Sequence, residues 1–173
     1  MRRIAIVGCS GSGKSTLARE LGERLGLPVI HMDTLFWKPG WTESEPEAFE
    51  SAVTDAASAE NWIMEGGYIR ASTARFTRAD TVIWIEAPTW LCLWRAFARS
   101  VANFGRPRAD LAPGCPERID PAFYRYIWNW NRLSRPRMAK ALAEHAAGAR
   151  LVRLRTGAEA ARFLAEAGGA EPG

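Results

Sequence analysis

Hydrophobic and polar positions alternate in blocks along the chain, with short apolar runs followed by longer amphipathic ones. Residues 4–7, Ile-Ala-Ile-Val, form a short apolar run, which predicts a buried strand. Leu17, Leu21 and Leu25 then recur at every fourth position between charged residues, which predicts an amphipathic helix. Since this alternation continues through the chain, it predicts an α/β fold with a parallel sheet covered by helices on both faces.

The remaining elements follow the same alternation. Further strands are predicted at residues 27–31, 62–65, 81–85 and 150–154, and further helices at 46–59, 88–102, 120–147 and 156–167. Asp120 and Thr156 are suited to cap the last two helices, and Pro88 suits a first helical turn. Residues 103–119 contain two glycines and three prolines without apolar periodicity, which predicts a mobile loop with little reason to pack tightly.

The turn between the first strand and the first helix carries a phosphate-binding motif. Residues 8–15 read Gly-Cys-Ser-Gly-Ser-Gly-Lys-Ser and match the pattern G-x-x-x-x-G-K-[ST]. The glycines let backbone N–H groups turn toward a phosphate chain, and the helix N-terminus adds its positive dipole end. Lys14 is expected to reach the terminal phosphates, and the Ser15 hydroxyl is expected to ligate Mg²⁺. The motif therefore predicts binding of ATP with magnesium through Gly8, Ser10, Gly11, Ser12, Gly13, Lys14, Ser15 and Thr16.

The composition is that of a globular protein and excludes several other classes. At 173 residues with 47% hydrophobic residues, the chain can bury one core as a single domain. No apolar stretch reaches the length of a membrane span and no signal peptide precedes the motif, so a cytoplasmic protein is expected. Three cysteines at unrelated spacings predict neither a disulfide framework nor a zinc site. Residues 168–173 are expected to form a frayed tail.

The net charge of +4 is mild, but it is unevenly distributed. Between Arg95 and Arg137 there are nine arginines and three acids, whereas residues 42–60 hold six acids and no basic residue. A basic segment suits phosphates, either on a small nucleotide or on a nucleic-acid backbone. Since the rest of the chain is weakly negative, a general nucleic-acid coat protein is not expected.

Blocks of sequence beyond the motif resemble one group of known proteins. These blocks are His31–Trp37, Pro39–Trp41, Trp62–Tyr68, Asp80–Ile85 and Gly114–Arg118. Together with the N-terminal motif, they resemble the nucleoside-monophosphate-kinase group of P-loop proteins, and most closely the adenylate-kinase-related bacterial topology modulation proteins. The resemblance implies a single three-layer P-loop NTPase domain over residues 1–173, with a five-stranded parallel sheet of order 2-3-1-4-5. It also implies an acceptor-binding segment at about residues 33–60 and a lid insertion at about residues 103–119 that closes over the phosphates.

The resemblance places two carboxylates in the reaction site. Asp33 follows the second predicted strand, where related kinases use an acid to contact the acceptor or organise Mg²⁺; a helix-capping role is the alternative. Glu65 ends the third predicted strand, where monophosphate kinases usually place an aspartate near the metal. Glu86, at the end of the fourth predicted strand, is the competing candidate for that metal role.

Several arginines are expected to bind phosphate. Relatives carry an arginine at the position of Arg70 that grips the acceptor's phosphate, although an ordinary surface arginine is an equal alternative. Arg95 and Arg99 lie one helical turn apart with no acid on their helix, so an anion is expected to join them. The predicted lid contributes three more arginines that are expected to stabilise the transferring phosphoryl group, namely Arg106, Arg108 and Arg118.

Aromatic, thiol and imidazole side chains give further expectations. Trp37 and Trp41 flank the Lys38-Pro39-Gly40 turn and are candidates to stack on a nucleobase. Cys9 lies near a helix N-terminus, which is expected to favour its thiolate. The two histidines, His31 and His145, lack metal-binding spacing and are expected to be structural. Five other tryptophans are expected to pack inside the protein: Trp84, Trp90, Trp94, Trp128 and Trp130.

The combined prediction is transfer of the γ-phosphoryl group of Mg-ATP to a small acceptor. The first acceptor expected is a nucleoside monophosphate, and the alternative is a nucleoside or small-metabolite hydroxyl with Asp33 as the base. A third hypothesis is an ATP-binding regulator that touches DNA through the basic segment. No membrane partner is expected, and the oligomeric state is left open.

Overall fold

The elements alternate between strands and helices, as the sequence pattern predicts. The computed structural model describes residues 1–108 and 110–168, so that Ala109 and residues 169–173 of the predicted tail lie outside the described residues. In chain order the elements are β1 (Arg3–Gly8), α1 (Lys14–Leu25), β2 (Val29–His31), α2 (Met32–Phe36), β3 (Trp37–Lys38), β4 (Thr42–Glu43), α3 (Pro46–Ser58), β5 (Trp62–Glu65), α4 (Ser72–Arg78), β6 (Thr81–Ile85), α5 (Thr89–Ala102), α6 (Pro121–Asn129), a π-helical segment (Trp130–Ser134), α7 (Arg135–His145), β7 (Arg150–Leu154) and α8 (Gly157–Gly168).

Five strands form one parallel sheet in the order β2-β5-β1-β6-β7. Counted along the chain, this is the predicted order 2-3-1-4-5, so the fold prediction is confirmed. The carboxyl ends of the central strands β1 and β5 lie side by side, since Ile6 pairs with Glu65. The phosphate-binding motif after β1 and the carboxylate that ends β5 therefore meet at the same edge of the sheet, where open α/β sheets bind ligands.

The strands are apolar at successive positions because both faces of the sheet are covered. On β1, Ala5 and Val7 join the core beneath α3, α4, α5 and α7, whereas Ile4 and Ile6 join the core beneath α1 and α8. All four side chains are fully buried. Within the described part of the chain, no helix is long and apolar enough to cross a membrane.

Three short elements were not predicted from the sequence. They are helix α2, helix α4 and the β3–β4 hairpin, and each spans seven residues or fewer. Such elements are too short to show helical or strand periodicity, so tertiary contacts decide whether they form.

The prediction of one uninterrupted helix from residue 120 to residue 147 is wrong. The chain forms α6, then a π-helical segment, then α7, with Pro136 in the first turn of α7. Because proline has no backbone N–H, Pro136 cannot donate the usual bond to the carbonyl four residues earlier, and the helix widens just before it. The predicted caps are confirmed, since Asp120 accepts from the Ala122 amide at 2.9 Å and Thr156 accepts from the Glu159 amide at 3.1 Å.

The prediction that residues 103–119 have little reason to pack is also wrong. Leu111, Ala112 and Cys115 are at most 8% exposed, and the Cys115 thiol donates to the Lys38 carbonyl at 3.2 Å. The two sides of the loop are joined by backbone hydrogen bonds between residues 105–106 and residue 117. This loop, called the lid segment below, is therefore docked on the β3–β4 hairpin.

Candidate active site

The phosphate loop (Gly8–Ser15) is shaped by glycines that no other residue could replace. Gly11 has φ 80°, and a Cβ atom there would lie 2.2 Å from the Cys92 carbonyl of α5. A Cβ atom on Gly8 would lie 2.6 Å from the Ile85 carbonyl at the end of β6. The loop therefore lies tightly against β6 and the first turns of α5, with its curvature fixed before any ligand arrives.

Two polar side chains of the phosphate loop suit a phosphate chain. The Ser12 hydroxyl is buried, and its oxygen has no hydrogen-bond partner among the described residues. Lys14 is only 8% exposed, and its ammonium group donates to the Cys9 carbonyl at 2.9 Å. A buried hydroxyl without a partner and a buried ammonium group on the same loop fit a polyanion such as the phosphates of ATP.

Three polar side chains are joined at the end of β5. The Ser15 hydroxyl donates to the Glu65 carboxylate at 2.9 Å, and His31 Nδ1 lies 2.8 Å from the same oxygen. Burial alone would raise the pKa of the Glu65 carboxyl, but His31, Lys14 and Ser15 outweigh burial and hold this pKa below its ordinary value. In return, the hydrogen bond to Glu65 raises the pKa of His31. Glu65 therefore remains an anion beside the phosphate loop.

The Ser15–Glu65 pair fits magnesium. Both groups offer oxygen atoms, and Mg²⁺ in phosphate-transfer sites is held by one or two protein oxygens together with phosphates and water. Within residues 1–108 and 110–168, no group of three or more His, Cys, Asp and Glu side chains is placed to hold a metal ion. A site shared with substrate phosphates needs no such cluster, so the donor set still suits Mg²⁺.

Glu86, the competing carboxylate, is engaged elsewhere. It pairs with Arg135 at 2.7 Å and with Arg155 at 3.5 Å. These guanidinium groups lower the pKa of the Glu86 carboxyl against the opposing effect of burial. Of the two carboxylates, Glu65 is the one that contacts the phosphate loop, and its metal role remains a prediction.

Asp33 and Tyr68 form a second polar pair close to Glu65. The Tyr68 hydroxyl donates to the Asp33 carboxylate at 2.6 Å. Burial, and after it the neighbouring Glu65 charge, raises the pKa of Asp33, whereas the Tyr68 hydrogen bond lowers it. The Tyr68 ring is fixed by Phe36 and Phe49, whose ring centres lie 4.7 and 5.1 Å away. A rigid tyrosine therefore orients a carboxylate whose pKa lies above its ordinary value.

A buried arginine fixes the turn that carries Tyr68. Arg75 of α4 is fully buried and donates to the Gly66 carbonyl at 2.9 Å and the Tyr68 carbonyl at 2.8 Å. Burial lowers the pKa of its guanidinium group to about 9. Gly66 is required in this turn, because a Cβ atom there would lie 2.9 Å from the Met32 side chain. The turn after β5 is thus held from within the core.

The lid segment pairs its own arginines with acids. Arg108 is bonded to both Asp110 and Glu117, and Glu117 also accepts from the Ser100 hydroxyl at 2.7 Å. Arg99 lies 3.7 Å from Glu117, so an acid lies beside one member of the Arg95–Arg99 pair, and the expected phosphate binding by this pair remains a prediction. No acid lies on α5 itself, and Glu117 comes from the loop that follows the helix. Arg95 and Arg106 are exposed.

The hairpin tryptophans contact the lid segment. Trp41 adopts φ 62°, which is strained for a bulky residue, and its indole N–H donates to the Pro116 carbonyl at 3.0 Å. The Arg118 guanidinium stacks 4.9 Å above the Trp41 ring and also pairs with Asp120 at 3.0 Å. Trp37 packs edge-on against Trp41. These contacts account for Trp41 and Arg118 without a ligand, and their roles in substrate binding remain predictions.

Arg70 lies on a cavity rather than among the phosphate-binding residues. It is exposed and lines a cavity of about 490 Å³ together with Tyr68, Phe36, Glu43 and Glu45. The cavity is thus lined by two carboxylates, Glu43 and Glu45, and by one guanidinium group, that of Arg70. The expected role of Arg70 in gripping an acceptor's phosphate therefore remains a prediction.

Two further expectations are corrected. The Cys9 thiol is buried, and its hydrogen bond with Cys92, together with burial, raises its pKa, which disfavours the thiolate expected near a helix N-terminus. Among the tryptophans expected to be internal, Trp84 and Trp130 are 3% exposed. Trp90, Trp94 and Trp128 are instead 69%, 63% and 68% exposed.

Three residues of the site were missed by sequence reasoning. Tyr68 and Arg75 act on the turn after β5, and His31 contacts Glu65 although it was expected to be only structural. A signal existed for His31, since it ends a strand at the edge where ligands bind. Arg75 gave no signal, because burial of a charged side chain is visible only in the folded chain.

Comparison with known proteins assigns the chain to a family. The family model of an AAA domain, AAA_18, matches residues 4–92, which is just over half of the chain and contains the phosphate loop, Asp33, Glu65 and Tyr68. The chain is 33% identical over 99 residues to a cytidylate kinase of Pyrobaculum arsenaticum, a match that covers 49% of this chain and 53% of that protein. The chain thus spans about half the length of that relative.

Two longer matches extend over most of the chain. The uncharacterized protein YqaC of Bacillus subtilis is 27% identical over 148 residues, covering 83% of this chain and 81% of that protein. A shikimate kinase from Acinetobacter baumannii, solved in complex with shikimate, superposes with a TM-score of 0.60 at 18% identity, covering 96% of this chain and 89% of that one. The structural match concerns the fold, which is that of P-loop kinases, and the family match shows that the chain belongs to the AAA domain family AAA_18.

Proposed function

We propose that this protein transfers the γ-phosphoryl group of ATP to the hydroxyl of a small acceptor bound beside Asp33. The observation that carries the proposal is the placement of two polar pairs at one sheet edge. Ser15–Glu65 lies against the phosphate loop, and Asp33–Tyr68 lies close enough for the Glu65 charge to raise the pKa of Asp33. The Ser15–Glu65 pair suits the phosphates and the metal of the donor ATP, and the Asp33–Tyr68 pair suits an acceptor.

The chain's own residues would act mainly by positioning and by neutralising charge. Backbone amides of the phosphate loop and Lys14 would hold the β- and γ-phosphates, and Ser15 would hold Mg²⁺ with Glu65 beside it. Bound magnesium supplies positive charge that offsets the charge developing on the phosphoryl oxygens. Asp33 would accept the proton of the attacking hydroxyl, and its raised pKa makes it a better base than an ordinary aspartate.

The charge of the acceptor-binding segment favours an acceptor without a phosphate group. Residues 42–60 contain six acids and no basic residue, and Glu43 and Glu45 line the cavity beside Tyr68. Such surroundings repel a phosphate dianion and suit a neutral or cationic molecule. The structure thus favours the hydroxyl acceptor over the nucleoside monophosphate that the resemblance placed first.

A nucleoside monophosphate remains the second candidate because of two observations. Arg70 lies on the same cavity, and the phosphate-loop half of the chain matches a cytidylate kinase. Trp37 could then face a base, as the sequence predicted.

A DNA-binding regulator is less well supported. Of the nine arginines between residues 95 and 137, four pair with carboxylates in the described structure: Arg99, Arg108, Arg118 and Arg135. Paired guanidinium groups offer less charge to a nucleic-acid backbone. The closer relationship to topology modulation proteins likewise rests on the sequence resemblance alone.

An ADP-release assay across a panel of acceptors tests the proposal. We expect release to require Mg²⁺ and to be stimulated by a neutral or amino-bearing polyol or nucleoside, and Asp33→Asn to cut turnover at least tenfold, about 1.4 kcal/mol. Asp55→Asn, which changes an exposed carboxylate on α3, is the matched control and should retain activity.

Two results would contradict the proposal. Stimulation by monophosphates alone, with Asp33→Asn as active as the parent, would favour the second candidate. Salt-dependent DNA binding with no acceptor found in the panel would favour the regulator.

A further inference from the structure

Helix α5 carries a row of large apolar side chains on its outer side. Trp90, Trp94, Phe97 and Val101 are 69%, 63%, 46% and 53% exposed, and Phe104, just beyond the helix, is 64% exposed. Single exposed apolar residues are ordinary, but a contiguous row of this size is not. The row is called the α5 stripe below, and its side chains are largely exposed, with Phe97 also in contact with Tyr124.

The spacing of the stripe is that of a helix–helix seam. Its members are separated by four, three, four and three residues, which is the heptad spacing of residues that pack between two helices. At about 100° per residue, the four members within α5 fall inside an arc of about 60°. The side of α5 that faces the core is a different one, formed by Cys92, Ala96 and Ser100.

The charges of α5 lie away from the stripe. Arg95 and Arg99 project more than about 100° from the centre of the stripe. Position 98, next to the stripe, is alanine, and the positions flanking Cys92 are leucine. Among the residues of α5 itself, no charged side chain therefore lies beside the stripe to oppose pairing with an identical helix; the exposed Arg125 and Arg132 belong to the neighbouring helical segment.

The stripe is large enough for a stable interface. An aromatic side chain presents roughly 150–250 Å², so the stripe amounts to roughly 600 Å² of exposed apolar surface. Trp128 of α6 is 68% exposed and lies in sequence between two residues that contact α5, namely Tyr124 of α6, which packs against Phe97, and Asn131 of the π-helical segment, which donates to Thr89. With Trp128, the surface approaches the roughly 800 Å² per partner that a standard interface buries.

We infer that the α5 stripe is the dimer interface of this protein, and that its occupant is the α5 stripe of a second copy. An antiparallel arrangement about a two-fold axis near Phe97 brings Trp94 of each copy against Val101 of the other. A self-complementary seam with no charge beside it on its own helix favours an identical helix over a basic or acidic ligand. Because α5 begins against the phosphate loop at Cys92 and ends at the lid segment, the dimer would hold the helix that connects these two parts of the site.

Sedimentation velocity of the full chain over a range of micromolar concentrations tests this inference. We expect the parent to sediment as two copies, and Trp94→Glu and Phe97→Glu to sediment as one copy with unchanged circular dichroism. Leu151→Glu is the matched control, since Leu151 is an exposed apolar residue on strand β7, at 46% exposure, and should leave the dimer intact. As a second measurement, Phe97→Cys should form a disulfide-linked pair under mild oxidation by oxidised glutathione, whereas Leu151→Cys should not.

Several outcomes would overturn the inference. The inference is overturned if the parent sediments as a single copy at every concentration. It is also overturned if the dimer persists in both Trp94→Glu and Phe97→Glu. If the parent is a single copy and pellets with anionic phospholipid vesicles, and Trp94→Glu abolishes pelleting, the stripe serves a membrane surface instead.

Discussion

The phosphate loop and the lid segment serve the same end of the sheet but are built in different ways. The phosphate loop uses eight consecutive residues, and its shape follows from glycines pressed against β6 and α5. The lid segment is held by pairs of residues far apart in sequence, such as Trp41 with Pro116 and Lys38 with Cys115. Its Asp110 lies near enough to His31 and Asp33 to raise the pKa of both.

The cationic side chains of the two segments also differ in whether their charge is balanced within the protein. Among the described residues, Lys14 of the phosphate loop bonds to a backbone carbonyl and to no carboxylate, so its charge is available for phosphate. Arg108 of the lid segment is bonded to two carboxylates, so its charge is largely balanced within the protein. We infer that the phosphate loop binds phosphate directly through the charge of Lys14. The lid segment, in contrast, contributes to the site only when the ion pairs that hold it in place are formed.

The largest effect is expected at Lys14. Lys14→Ala should lower phosphoryl transfer by about a thousandfold or more while leaving the fold intact, because the ammonium group acts on phosphate and contributes little to the core. Steady-state ADP release, with thermal unfolding as the folding check, measures this. Lys140→Ala, at an exposed lysine 3.7 Å from Glu144, is the control and should behave as the parent. Turnover equal to the parent in Lys14→Ala would refute the assignment of the phosphate loop.

A loss of stability is expected at Glu117. Glu117→Gln leaves Arg108 and Arg99 without their shared carboxylate and should cost about 3 kcal/mol of unfolding free energy, as loss of one partner of a buried pair does. Urea unfolding measures the change, and Glu144→Gln, in an exposed pair, should cost less than about 1 kcal/mol. If Glu117→Gln is as stable as Glu144→Gln, the ion pairs do not hold the lid segment.

An effect on the pH dependence of activity is expected at Tyr68. The Tyr68 hydrogen bond lowers the pKa of Asp33, so Tyr68→Phe should raise this pKa further. Since Asp33 acts as a base only when it is ionised, the acid limb of the kcat/KM profile should move to higher pH, with up to about a tenfold loss on that limb. Tyr124→Phe is the control, because the Tyr124 hydroxyl is buried without a partner among the described residues. An unmoved acid limb in Tyr68→Phe would exclude Asp33 as the titrating base.

The smallest effect is expected at His31. Its pKa is raised above 6.5 by Glu65, so the stability it contributes is full below pH 6.5 and is lost as the pH rises through the raised value. The pKa of Glu65 is lowered from 4.5, so its contribution is present above pH 4.5 and is lost only as the pH falls through the lowered value. His31→Gln should therefore flatten the alkaline decline in Tm by about 2–4 °C. Equal alkaline declines in the parent, His31→Gln and the control His145→Gln would contradict the pairing.

Prediction from the sequence succeeded where residues that act together are also close along the chain. The five strands of the sheet, the phosphate loop and the two helix caps were all found, because period, spacing and capping chemistry are local properties. Asp33 and Glu65 were placed at the right sheet edge, because parallel strands end together. Their hydrogen-bond partners were not found, since Tyr68 lies 35 residues from Asp33 in sequence.

The sequence by itself determined that this chain folds around a parallel sheet and carries a phosphate loop, since strand, glycine loop and helix are contiguous and each is encoded by its own residues. Only the tertiary structure decided that Arg99 and Arg108 pair with Glu117, that Arg75 is buried and that Trp90 and Trp94 are exposed. The reason is that charge pairing and burial depend on which distant segments meet. A local pattern specifies the face of a helix, but the neighbouring elements determine whether that face is covered.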